Sequence, residues 1–213
     1  MSIKLTGATS GSIELDVPAA VSGGDISLTL PNGVGSAGQY LRNSSTAGEL
    51  EFGALPSSGK ILQVVQSTKT DINSITGGTY QDLGLSVSIT PSSATSKVLV
   101  LLYASISSPD SSYDMKLRLL RGSTLVLLGD AASSRPRAST ALNLSWSSGS
   151  YGAGNAAINY LDTPATTSAT TYKLQAMSYS SYSIYINRGP NDTDTSGYEA
   201  RSASSIIAME VAA

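Results

Sequence analysis

Two eight-residue stretches near the start of the chain, GSIELDVP at Gly11 to Pro18 and GDISLTLP at Gly24 to Pro31, repeat one strand pattern at a spacing of 13 residues. The first sets Ile13, Leu15 and Val17 on alternate positions, the second Ile26, Leu28 and Leu30. Side chains of a strand alternate between faces, so each copy carries one narrow apolar face. Each copy then ends in a proline, which has no N–H to give to a ladder. IKLTG, Ile3 to Gly7, reads as a partial earlier copy. A face this thin closes no core by itself, and repeats of this size bury themselves by stacking or by pairing with other chains. The pattern therefore commits the first part of the chain to β structure and to a core shared among strands or among copies.

Of the 213 residues only 13% are charged, well below the ~25% of an ordinary globular chain. Ser, Thr, Asn and Gly supply the polarity instead, which suits strands and turns and argues against amphipathic helices with charged faces. With 40% hydrophobic content there is enough for a globular core, and the expected fold class is all-β. The net charge of −2 leaves no basic footprint, so neither nucleic acid nor anionic lipid is an expected partner. No apolar run approaches the ~18 residues of a membrane span, and MSIKLTGATSG lacks the basic and apolar regions of a secretion signal. The expectation is a protein made and left in a cytosol, with no membrane insertion.

Cysteine and histidine are both absent. That removes disulfides, Ser-His-Asp and Cys-His nucleophile activation, thiolate or imidazole zinc sites and histidine acid–base chemistry. No Asp/Glu pair has a spacing that forces the ~5–9 Å separation of glycosidase carboxylates. The reading is a protein that is not an enzyme and takes no cofactor.

ALPSSGK, Ala54 to Lys60, is a Pro/Ser/Gly junction and the expected boundary between Met1–Pro56 and Ser57–Ala213. Beyond it, strand patterns run over Ile61–Thr68, Tyr80–Thr90, Lys97–Ile106, Asp114–Leu120, Thr124–Leu128, Ala141–Ser147, Ala156–Leu161, Thr171–Met177, Ser183–Asn187 and Ser204–Val211. RLLRGSTLVLL reads as a tight hairpin with Arg121-Gly122-Ser123 at its tip, and DTPATTSAT as a second connection. A single helix over the same hairpin would bury Gly122 in its interior at a cost of ~1 kcal/mol, and Met115, Leu117 and Leu119 keep a period of two. About ten short strands with turns between them predict a sandwich or jelly roll. Lys97–Ile106 and the closing strand are the most continuously apolar and are expected at its centre.

The order LTLP, a glycine-rich turn, GQYL, a short polar insert and GELEFG, at Leu28–Pro31, Gly38–Leu41 and Gly48–Gly53, resembles a segment recurrent in bacteriophage fibre proteins. There three chains form a narrow β-rich stalk or collar before a distal head. The resemblance covers about a quarter of the chain. It implies that Ile13, Leu15, Val17, Ile26, Leu28 and Leu30 form a trimer stalk core. The larger part, through Gly59–Gln66, Leu161–Ala176 and the terminal strand, is similar to the distal jelly-roll heads of phage fibres and, more loosely, to trimeric tumour-necrosis-factor-like and complement-like heads. Those families imply threefold association around an apolar axis.

Candidate recognition residues are mostly tyrosines. There are eleven, against one Phe and one Trp, and seven lie in the last third of the chain among Ser and Gly. Tyrosine gives large contact area at low entropy cost while its small neighbours adapt their hydrogen bonds. Tyr151 and Tyr182 fall in turns. Tyr185 lies between Ile184 and Ile186 and so points away from them. Tyr160 and Tyr172 read better as strand tyrosines with their hydroxyls at the rim of the sandwich. Arg135 and Arg137 flank Pro136 on a loop, suited to an acidic sugar or phosphate or simply to solvent. NDTDTSGYE, Asn191 to Glu199, opens like a calcium loop, but the twelfth position from Asp192 is Ala203, not the closing Glu. The expectation is no metal and a surface loop of Asx turns with Gly197 at positive φ.

Together these features predict a homotrimeric fibre or spike on a virion, with an N-terminal β stalk and attachment segment and a jelly-roll head. Its expected partners are other virion proteins through the N-terminal segment and a host cell-surface glycan or protein, probed without chemistry. Three alternatives share parts of this reading: a capsid-borne head fibre or decoration protein, a polysaccharide-cleaving spike, and a bacterial lectin-like adhesin.

Overall fold

The computed structural model describes residues 3–6, 12–15, 29–33, 35–47, 49–54, 59–109, 113–143 and 151–213, with only the backbone of 3–6 and 12–15. The chain divides into two compact units, Met1–Pro56 and Ser57–Ala213. Among the described residues all fifteen elements are strands.

In the first unit, β1 (Ile3–Thr6) and β2 (Ser12–Leu15) pair antiparallel, with Ile3 opposite Leu15 and Leu5 opposite Ile13. The partial copy thus becomes the partner of the first full copy. β3 (Gln39–Asn43) and β4 (Leu50–Ala54) form a second hairpin, joined across strands by Leu41 opposite Phe52 and by an Arg42–Glu51 ion pair of 2.9 Å. Of the second copy, Thr29 makes a parallel bridge to Glu49, and Leu30 is 64% exposed. Leu41 and Phe52 are exposed as well. Val17, Ile26 and Leu28 lie outside the described residues.

The second unit is a two-sheet sandwich. One sheet runs β5 (Ile61–Lys69), β15 (Ser204–Val211), β8 (Lys97–Ser107), β12 (Gly154–Asp162), with β6 (Asn73–Thr76) and β14 (Ser183–Ile186) continuing it. The other runs β7 (Gln81–Ile89), β13 (Thr170–Met177), β9 (Met115–Arg121), and then β10 (Thr124–Val126) and β11 (Thr140–Leu142), both of which pair with β9. First pairs with last, β5 with β15; then β7 with β13, β8 with β12 and β9 with β10 and β11. This nesting is one long antiparallel hairpin, with its tip at Gly122-Ser123, rolled into two sheets. It is the strand order of a jelly roll.

The tip forms because Gly122 takes φ +57, which a side chain would disfavour. Gly84, at φ +78, sits where the β7–β13 register shifts, between buried Leu83 and Leu85. The core interleaves Val98, Val100, Leu102 and Ile206 of one sheet with Leu85, Val87, Leu119 and Leu174 of the other. β8 and β15 are central neighbours, as their continuous apolar character predicts.

Two strands are spliced, and the sequence pattern does not show either splice. β14 and β15 lie in line along β8 and opposite β6 and β5, interrupted by an excursion over 187–203. β10 and β11 lie in line along β9, interrupted over 127–139. At each splice a serine hydroxyl accepts the ladder N–H that the departing backbone leaves behind: Ser105 N–H donates to Ser204 Oγ at 3.0 Å, and Leu119 N–H to Ser139 Oγ at 2.9 Å. The strand pattern of Thr124–Leu128 accordingly stops at Val126, and that of Ala141–Ser147 is described only to Asn143, with β11 ending at Leu142. β6 was not expected from the sequence.

Buried Glu210 fastens the end of the sandwich where the chain enters. Its Oε1 accepts from Ser92 N–H at 2.8 Å and Ser92 Oγ at 2.7 Å, and its Oε2 from Gln63 Nε2 at 2.6 Å. Burial alone would raise its pKa, but hydrogen bonds from Gln63, Ser92 and Ser96 outweigh this and lower it from 4.5 to about 2. A depressed carboxyl stabilises the fold above its unfolded pKa and loses that contribution as pH falls through the folded one. We expect the wild-type melting temperature to fall between pH 4.5 and about 2 more steeply than that of Glu210→Gln. Melting both proteins across that range checks it; parallel curves would show that Glu210 carries no such linkage.

Candidate functional site

The sandwich has two ends. The chain enters at one, where Gly59 N–H donates to Ala212 O at 2.9 Å. The connections from β8 to β9 and from β13 to β14, the start of β12 and the neck of the 187–203 excursion lie at the other. Tyrosines from separate connections meet there. Tyr113 stacks on Tyr179 with ring centroids 4.1 Å apart and lies 5.9 Å from Tyr182. A tight turn closed by Tyr182 N–H to Tyr179 O, with Ser180 at φ +52, points both rings toward Tyr113. All three rings are exposed. Tyr151, just before β12, meets Tyr198 of the excursion at 4.5 Å.

The excursion is pinned at its neck by Asn187, fully buried at φ +66. Its Nδ2 donates to Lys69 O at 2.8 Å and Asp71 O at 2.9 Å, its backbone N–H to Ser105 O at 3.0 Å, and its Oδ1 accepts from Ser204 Oγ. Beyond it, the Arg188 guanidinium lies 3.6 Å over the Tyr185 ring and 3.3 Å from Asp192. Arg201 takes the other Asp192 oxygen at 2.6 Å. Glu199 folds back to accept Asn191 N–H at 2.9 Å and Thr193 N–H at 2.6 Å. A Cβ at Gly189 would run into the Glu199 carboxylate, so a side chain there would have to displace Glu199. A cavity of ≈ 490 Å³ opens between the arms, lined by Asp192, Thr193, Asp194, Glu199 and Arg201 among others.

The calcium-like spelling of this loop is thus spent on arginines and backbone. The positive φ falls on Asp192, at 54°, and not on Gly197. Among the described residues no group of three or more His, Cys, Asp or Glu could hold a metal ion.

No protein-family model and no curated protein matches the chain. Solved structures similar to it include VP2 of infectious bursal disease virus. The subviral particle shares 14% identity at a TM-score of 0.38 over 82% of this chain and 42% of that one. The T=1 particles share 15% at 0.38 over 98% and 44%. The chain therefore spans less than half of those proteins. The jelly-roll assignment stands on the strand pairing above.

The sequence-selected residues scatter. Tyr151 and Tyr182 stand in the two tyrosine groups. Tyr185 points away from buried Ile184 and Ile186, as strand parity requires, but is half-buried and carries Arg188. Arg137 Nε donates to Gly129 O at 2.6 Å, and Arg137 O accepts from Tyr80. Both Arg135 and Arg137 lie on the 127–139 excursion, and among the described residues no hydrogen bond, ion pair or ring contact links them to Tyr151, Tyr182 or Tyr185. Tyr172 belongs to the core, where burial and then its hydrogen bond to Asp162 push its phenol above the usual range. Tyr113, Tyr179 and Tyr198 were not singled out; their Ser/Gly/Asp-rich surroundings were a signal, but nothing local says which loops share an end.

Proposed function

We propose that the chain is a virion structural protein, a homotrimeric phage tail fibre that mediates host adsorption. The observation that carries this is the gathering of exposed tyrosines from separate loops at the sandwich end opposite the chain's entry. Tyr113, Tyr179 and Tyr182 form a shelf of aromatic faces edged by hydroxyls, suited to the apolar face of a sugar ring or to a flat protein surface. The thin apolar faces of Met1–Pro56 support a stalk in which copies supply one another's core, with Leu30, Leu41 and Phe52 open to water in the single chain. Three heads carried on one stalk would turn a weak contact into firm attachment without new contacts.

The test is binding of the full chain to host cells. Tyr113→Ala with Tyr182→Ala should reduce binding by about tenfold or more. Its melting temperature should stay nearly unchanged, because truncating exposed groups leaves no core cavity. Tyr151→Ala should act in the same direction and less. Unchanged binding by both variants would remove the tyrosine end from the receptor contact. Particles imaged with labelled chain separate a tail fibre from a capsid-borne fibre.

A further inference from the structure

The outer face of the sheet β5–β15–β8–β12 changes character along its length. Register sets Val64, Met209, Leu99 and Leu161 in one cross-strand row, Gln66, Ile207, Leu101 and Asn159 in the next, and Thr68, Ser205, Tyr103 and Ala157 in a third, nearer the tyrosine end. The first row is apolar, whereas the third has small side chains around one ring. Tyr103 is 44% exposed, flanked on its own row only by the short Ser205 and Ala157. Exposed Asn155 and Asn159 are its diagonal neighbours on β12, about 7–8 Å away by strand geometry. Exposed Gln66 stands two strands off on the other side, at about 12 Å. None of these three rows holds a charged residue; Lys97, opposite Val211, belongs to the row at the chain's entry.

We propose that the part of this face around Tyr103 binds an uncharged glycan. The inference goes beyond the adsorption reading, because it assigns a second surface that stands or falls apart from the loop tyrosines. A sugar ring presents C–H faces that stack on an aromatic ring, and hydroxyls that pair with groups able both to donate and to accept. Tyr103 supplies the ring. Asn155, Asn159 and Gln66 supply amides, each with an acceptor oxygen and two donor hydrogens, and Thr68 and Ser205 supply hydroxyls. Part of the arrangement is fixed in advance, since Tyr103 Oη donates to Asn155 Oδ1 at 2.8 Å. That bond sets the ring and leaves the Asn155 Nδ2 hydrogens and the Tyr103 oxygen lone pairs for a ligand. Side chains mounted on paired strands and already bonded lose little freedom on binding. Charge decides the ligand's class. A phosphate, carboxylate or ammonium would find no counter-charge in these rows, whereas hydroxyls need none. The cores of protein interfaces are enriched in aromatic, Met and Arg side chains, but the exposed groups around Tyr103 are amides, a hydroxyl and a methyl. The patch also continues the tyrosine end, since Tyr151 lies just before β12 and Asn155 is the second residue of that strand.

The full chain is screened for binding to immobilised neutral polymers, namely dextran, mannan, galactan and chitin oligomers, and to anionic polygalacturonate and hyaluronate. It should bind at least one neutral polymer and neither anionic one. Its affinity should change less than about twofold between roughly 0.05 and 0.5 M salt, since no ion pair forms. Tyr103→Ala should weaken binding by about tenfold or more. Asn159→Ala and Gln66→Ala carry the same test without touching the ring, each with a loss of about fivefold. All three should melt near the wild-type temperature, because the groups removed are exposed. Exposed Ser86 on the other sheet is the control, and Ser86→Ala should change nothing. If Tyr113→Ala/Tyr182→Ala loses the polymer while Tyr103→Ala keeps it, the glycan belongs to the loops, and the proposed face is overturned with the adsorption reading left standing. The opposite pattern supports the face. Binding to no neutral polymer, or only to anionic ones with a steep salt dependence, overturns the proposal outright.

Discussion

Asn187→Ala opens the neck of the 187–203 excursion and lowers stability by about 3–4 kcal/mol, the largest loss expected from any single substitution outside the apolar core. The carbonyls of buried Lys69 and exposed Asp71 lose their donor, and the Ser204 hydroxyl loses its acceptor. Alanine must also take φ near the +66° of Asn187, which costs an L-residue about 1–2 kcal/mol. Asn187→Gly separates the two causes, since glycine accepts the backbone angle but makes none of the side-chain bonds. It should recover roughly 1 kcal/mol of the loss. Denaturant unfolding of the three proteins measures this, and proteolysis within 188–203 should quicken in the same order. If Asn187→Ala unfolds at the wild-type midpoint, the neck does not hold the excursion. The consequence reaches the candidate site, because Tyr198 and the Arg188–Tyr185 contact depend on where the excursion leaves the sheet.

The second large effect is expected at Asp162, buried at the end of β12. Its carboxylate accepts two bonds from Arg121 Nη1, at 3.0 and 2.9 Å, and one from the Tyr172 hydroxyl at 2.7 Å. The three residues tie β12 of one sheet to β9 and β13 of the other. Asp162→Ala leaves a fully buried phenol without an acceptor and a largely buried guanidinium without its counter-charge, a loss of about 3 kcal/mol and roughly 6–12 °C in melting temperature. Tyr172→Phe removes only the hydroxyl and should cost about 1 kcal/mol. In the double variant the two losses should fall short of their sum, because the phenol left unpaired in Asp162→Ala is then gone. Full additivity would show that the Tyr172–Asp162 bond contributes nothing of its own.

What the sequence determined by itself was everything set by short-range sterics. The period of two placed nine of the ten expected strands of the head to within about two residues, and Gly122 marked the hairpin tip because only a residue tolerant of positive φ turns there. Flanking isoleucines oriented Tyr185. The unbroken apolar character of β8 and β15 showed that both of their faces want cover, although not that one face is left to the outside. The repeat at Gly11–Pro18 showed a strand face too thin to stand alone. Only the tertiary structure decided the rest. Ile186 and Ser204 form one continuous strand line because β8 and the β5–β6 edge hold both, and a hydroxyl and a side-chain amide replace the missing backbone bonds across the gap. No local preference encodes that alignment. The same holds for Tyr113, Tyr179 and Tyr182, which come from two connections far apart in the chain. Long-range pairing of β8 with β12 and of β9 with β13 determines which loops share an end, so the loops could be read as tyrosine-bearing but not as neighbours.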